Sequence, residues 1–191
     1  MTSDSIVFAG VDIASGRKPV TFAALDENLN LLALHKWTVS DAIAALNEYE
    51  TIVLAIHSSA AAAGEFKKSL SQAGIKQVSK QGSRQWMDTD SQENFIVLCE
   101  GKLLSRRSTE GRIQRALILY DERVQIPDPM DFFEEITRHR LIRGSLPEEN
   151  TYSVHELNAL MSAYTAWIYS NEPRRMHLSG NRVVLSNNSE D

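Results

Sequence analysis

The segment that most narrows the folds open to this chain is TIVLAI, at Thr51–Ile56. An unbroken run of aliphatic and β-branched residues between polar neighbours is the pattern of a strand covered on both faces. Just upstream, Ser40 reads as the N-cap of a helix over Asp41–Glu50, with Ile43 and Leu46 turned inward and Asp41 at the positive end. A strand, a helix and a second strand imply a crossover, so Thr51–Ile56 pairs in parallel with an earlier strand. The earlier strands are Ser5–Ala14, Val20–Leu25 and Leu31–Trp37, joined by turns at Ser15–Pro19 and Asp26–Asn30. A meander with a parallel strand added to it is a mixed sheet, and the chain reads as α/β.

Downstream, Ala60–Ala73 reads as a helix that stops at Gly74, with Phe66 and Leu70 on its inner side. Lys80–Asn94 reads as a loop pinned by Trp86 and Met87, and Phe95–Cys99 (FIVLC) as a further buried strand. Ser108–Val124 carries Ile113, Leu117 and Tyr120 at helical spacing. Asp128 caps and Pro129 opens another helix; Arg138, His139, Arg140 and Arg143, ahead of Gly144, suit its negative end. Ser153 and Glu156 form a capping box for a long helix over Val154–Asn171, closed by Pro173. Its residues Leu157, Leu160, Met161, Tyr164, Trp167 and Ile168 make a stripe for the sheet, with Asn158, Ser162 and Thr165 as a polar strip beside it. A hairpin of Met176–Ser179 and Arg182–Leu185 turns at Gly180–Asn181, and Ser186–Asp191 is a polar tail. A chain of 191 residues is read as one domain over 1–191.

Composition excludes several classes. No apolar run approaches the ~20 residues that cross a bilayer, and Met1–Ser5 lacks a basic flank, so no membrane partner and a cytoplasmic location are expected. Cys99 is the single cysteine, which forbids an internal disulfide and reads as an inert buried thiol. A net charge of −5 argues against binding nucleic acid by bulk electrostatics. Arg106, Arg107, Arg112 and Arg115 nevertheless cluster, and the first three form a candidate patch for a phosphate backbone.

The chemistry starts at Asp12, because a buried strand rarely ends on a carboxylate without a reason. Metal-dependent nucleases and sugar-kinase-like ATPases both anchor a divalent ion at such a position. For the ATPase, Gly10-Val11-Asp12 before a Ser-Gly turn is a weak signal, and Gly101 and Gly111 are isolated rather than part of a later phosphate loop. His35, His139, His155 and His177 have no metal spacing and read as surface or capping residues.

The start GVDIASGRKPVTFAAL, the long stretch from Ser108 to Ile168 and the closing hairpin resemble a large bacterial family of predicted nucleases, catalogued as domain of unknown function 429. The resemblance implies a ribonuclease-H-like fold: a mixed sheet with helices on both faces, the first strand central and the last helix beside it. It also implies a metal site of three acids, at the ends of the first and fourth strands and in the last helix. Asp12 keeps the first, but His57 stands in Ala55-Ile56-His57-Ser58-Ser59 and Asn158 in Glu156-Leu157-Asn158-Ala159-Leu160 where the other two acids are expected. Mg²⁺ prefers carboxylate and water oxygens, so an imidazole and an amide should cost it affinity by orders of magnitude. The leading expectation is a degenerate member that binds nucleic acid, or another chain such as a paralogue, and needs no cofactor. The alternative is an active nuclease dependent on Mn²⁺ or Mg²⁺ with an altered site, in which Asp12, His57 and a nearby acid such as Glu100 bind Mn²⁺ or Zn²⁺. A further departure is expected after Trp86–Met87, where Asp88–Asn94 is too short for the helix that relatives carry.

Overall fold

A computed structural model describes residues 6–14, 19–58, 63–78, 83–144 and 151–186. The alternation of side chains along the first strand, β1 (Val7–Ile13), sets the architecture. Val7, Ala9, Val11 and Ile13 enter one apolar core and Phe8 enters a second, so both sides of this strand are covered. β2 (Val20–Leu25) is antiparallel to β1, and β3 (Leu31–Trp37) is antiparallel to β2. β4 (Ile52–Ser58), which holds the TIVLAI run, pairs in parallel with β1 in the register Asp12 to His57. β5 (Lys76–Gln77) and β6 (Arg84–Thr89) complete a sheet of order β3-β2-β1-β4-β6-β5. The fold is α/β with a mixed sheet, as expected, and is compatible with a ribonuclease-H-like arrangement.

One face is covered by α1 (Val39–Leu46) and α2 (Gly64–Gln72), through Ala42, Leu46, Phe66 and Leu70. α1 is capped by Thr38 rather than Ser40: the Thr38 hydroxyl accepts from Asp41 N–H, and the helix starts earlier than expected. Arg84 ties this layer together by donating to the last carbonyls of both helices, Leu46 O and Ala73 O. Lys67 of α2 bonds to buried Asp88 of β6 at 2.7 Å.

The opposite face carries α6 (Val154–Asn171), α3 (Ser91–Leu98) and α4 (Thr109–Asp121), with α5 (Pro129–Arg143) packed on α4. The capping box of α6 forms as read, with Ser153 Oγ accepting from Glu156 N–H and Glu156 accepting from Ser153 N–H at 2.7 Å. Gly10 lets α6 lie directly on β1. A Cβ there would sit 2.0 Å from Ala159 O and 2.2 Å from Ala163 N, so backbone meets backbone. The closing hairpin, β7 (Met176–Ser179) and β8 (Arg182–Leu185), turns at Gly180 with φ +65°. Buried Asn94 of α3 locks it in place, accepting from Leu185 N–H while donating to Thr89 and Thr165 hydroxyls.

Three expectations about residues 80–99 are corrected. Lys80–Asn94 is not a loop, because its described part holds β6, with Trp86 and Met87 in the two cores. Phe95–Cys99 is not a strand but the second half of α3, which Asp90 caps by accepting from Gln92 and Glu93 N–H. The helix read as absent after Trp86–Met87 is therefore present, at Ser91–Leu98. Residues 15–18, the start of the helix expected from Ala60, and the tail beyond Ser186 lie outside the described residues. Among the described residues, no helix is long and apolar enough to cross a membrane.

Candidate functional site

Where β1 and β4 end side by side, Asp12 and His57 emerge on the face that carries α6. They share a cleft of about 400 Å³ with Ser58, Arg106, Arg107, His155 and Asn158. All three residues expected at the family's metal positions therefore meet in one place. Arg106 and Arg107 meet them there, but Arg112 does not: it lines a separate small pocket with Ile113, Ala116 and Tyr152. Glu100 is exposed beyond the end of α3 and does not line the cleft, so its expected helper role has no support.

Asp12 is buried, 4% exposed, and its Oδ2 is heavily engaged. His155 Nδ1 donates to it at 2.7 Å and Asn158 Nδ2 donates at 3.3 Å. His155, read as a surface or capping residue, is thus the carboxylate's closest partner. A signal for it existed in the spacing, since His155 and Asn158 are i and i+3 on one helix face.

The direction of the Asn158 amide follows from its neighbours. The Arg115 guanidinium only donates, so the Gln92 oxygen faces it, at 3.2 Å. That leaves Gln92 Nε2 to donate to Asn158 Oδ1 at 2.8 Å, and Asn158 Nδ2 to face Asp12. In the sequence Arg115 stands out only as one of a basic cluster, and Gln92 carries no signal. Both are internal parts of the site, with Arg115 buried at 2% exposure.

His57 is fixed by a different logic. Ser91 N–H donates to its Nδ1 at 3.1 Å, so that nitrogen carries a lone pair and the ring hydrogen sits on Nε2. Burial pushes the His57 pKa below the ordinary value; Asp12 and Asp90 pull it the other way and are outweighed. The neutral ring is the stable form.

The two arginines are held on a built support. A Cβ on Gly111 would lie 1.9 Å from Ser105 O, so only glycine lets the Ser105–Ser108 turn press on the first turn of α4. Ser108 Oγ donates to Ser105 O and accepts from Gly111 N–H. Gln114 and Arg115 bond Leu104 N–H and Leu104 O from below. Arg106 and Arg107 themselves remain exposed at the mouth of the cleft.

This donor set does not fit a Mg²⁺ site. Among the described residues that line it Asp12 is the one carboxylate, its Oδ2 already accepts two hydrogen bonds, and Asn158 turns N–H groups rather than oxygen toward it. Among the described residues, no three His, Cys, Asp or Glu side chains gather as a metal-binding group. What the cleft offers instead is a set of hydrogen-bond donors and cations around a carboxylate whose Oδ2 is already engaged. No family model matches the chain, and no curated protein matches it.

Proposed function

We propose that this chain is a divergent relative of the nuclease-like family catalogued as domain of unknown function 429, that it binds nucleic acid through the phosphate backbone, and that it does not cut by metal catalysis. The observation that carries this reading is the orientation of Asn158: its nitrogen, not its oxygen, meets Asp12, and Gln92 and Arg115 hold it that way. A two-metal or one-metal phosphodiester hydrolase needs anionic oxygens aimed at the ion, and here the amide supplies hydrogens. Arg106 and Arg107 on their braced turn, with neutral His57 donating from Nε2, supply groups that suit a phosphate oxygen. Backbone contacts of this kind hold a strand without reading bases.

The test compares the natural protein with His57→Asp/Asn158→Asp, by calorimetric titration with Mg²⁺ and Mn²⁺ and by cleavage of labelled single- and double-stranded nucleic acid. The natural protein should bind oligonucleotide in EDTA and leave it whole in either metal, while the double substitution gains metal affinity. Mn²⁺-dependent cleavage by the natural protein, abolished in Asp12→Ala, would establish instead an active enzyme with an altered metal site.

A further inference from the structure

The two histidines of the cleft are set in opposite senses, and neither is set by chance. His155 Nδ1 faces the Asp12 carboxylate, which can only accept, so in the neutral ring the hydrogen lies on Nδ1 and Nε2 is a bare acceptor. His57 Nδ1 faces the Ser91 N–H, which can only donate, so His57 Nε2 is a donor. Among the described residues, neither Nε2 has a hydrogen-bond partner of its own. Both rings line the same cleft, from elements held together by the β1–β4 register and the Asp12 contact, and Arg106 is near enough to weigh on the charge of His57.

A cleft lined by an acceptor, a donor and a cation offers partners for a hydroxyl and a phosphate together. In nucleic acids that pair is the ribose 2′-hydroxyl and its neighbouring 3′-phosphate, which DNA lacks. Resting on the nucleic-acid reading above, we infer that the cleft selects RNA over DNA: His155 Nε2 accepts the 2′-hydroxyl hydrogen, while His57 Nε2–H and Arg106 hold the adjacent phosphate oxygens. Arg107, at the rim, steers the backbone without telling the two polymers apart. Asp12 is a positioning residue, because it touches no ligand atom and acts by fixing the tautomer of His155.

The experiment measures binding by fluorescence anisotropy, in EDTA, for one single-stranded sequence as RNA, as DNA and as 2′-O-methyl RNA. The last keeps the ribose oxygen and the RNA sugar pucker but has no hydrogen to give. RNA should bind roughly 10-fold more tightly than the other two, the worth of one well-made hydrogen bond in a shielded site. In His155→Phe, RNA should fall to the affinity that the natural protein shows for DNA. Equal binding of RNA and DNA, equal binding of RNA and 2′-O-methyl RNA, or a preference for RNA that survives His155→Phe overturns the inference and leaves backbone binding standing. If the natural protein binds none of the three, the nucleic-acid reading itself fails.

Discussion

Asn158 meets Asp12 nitrogen first, with Nδ2 at 3.3 Å from the carboxylate Oδ2, while its oxygen is taken by Gln92 at 2.8 Å. The orientation is imposed from outside the pair, by the donor-only guanidinium of Arg115 at the far end of the chain of amides. It makes Asn158 a hydrogen-bond donor to the Asp12 carboxylate rather than a second oxygen facing the cleft.

Gln92→Leu should therefore destabilise the protein although Gln92 is only partly buried. It leaves Asn158 Oδ1 and Arg115 Nη2 without the partner they now have, and each such loss costs about 1–3 kcal/mol. Urea unfolding should show the midpoint fall at unchanged slope. An unaltered midpoint would mean that water replaces the glutamine freely.

Gly10→Ala tests how closely α6 lies on β1. The added methyl would meet the backbone of Ala159 and Ala163, which cannot rotate aside, so the cost should reach about 3 kcal/mol or more. The measurement is equilibrium unfolding, and a loss under 1 kcal/mol would show that the helix can slide away from the strand cheaply.

Gly111→Ala addresses the site rather than the core. Its Cβ pushes on Ser105 O and must displace the turn that carries Arg106 and Arg107, so oligonucleotide affinity should drop about as far as in Arg106→Ala/Arg107→Ala. The salt dependence of binding should flatten in both, since fewer phosphates are neutralised. Affinity equal to that of the natural protein would separate the arginines from binding.

His57 gives stability a definite pH dependence. Its folded pKa lies below the ordinary 6.5, chiefly because burial disfavours the imidazolium. The unfolded chain thus takes up a proton at a pH where the folded one resists it. The contribution is whole above 6.5 and declines as pH falls from there toward the lower folded value. His57→Gln, which retains an acceptor for Ser91 N–H, should lessen the loss of stability between pH 7 and pH 5. Parallel stability curves for the two proteins would assign the acid sensitivity to other groups.

Features set by local chemistry were legible in the sequence. Ser153 with Glu156, Asp128 with Pro129, and Gly180 in the hairpin each carry their own reason within a few residues, and each forms where it was read. β6 was not legible, because RQWMDT looks polar until Arg84 finds the ends of two helices and Asp88 finds Lys67. FIVLC is too short for its period to separate strand from helix, although Asp90 followed by Glu93 was a capping signal that outranked it. The site divides in the same way. Asp12, His57 and Asn158 are reached through their positions in a family pattern; the spacing of His155 to Asn158 hints at His155, but its partner Asp12 lies 143 residues away, and Gln92 acts through Asn158 and Arg115, 66 and 23 residues away.

The close seating of α6 on β1 also orders events in time. Strand β1 is made well before α6, so during synthesis the Phe8–Gly10–Asp12 face waits for its helix while residues 14–153 are added. Pairings between distant parts of a chain form slowly and leave apolar surface open to other molecules meanwhile. A ribosome-bound chain that stops short of Val154 should therefore leave β1 uncovered on that side and the cleft without His155 and Asn158. Any binding activity would arrive with the docking of that single helix.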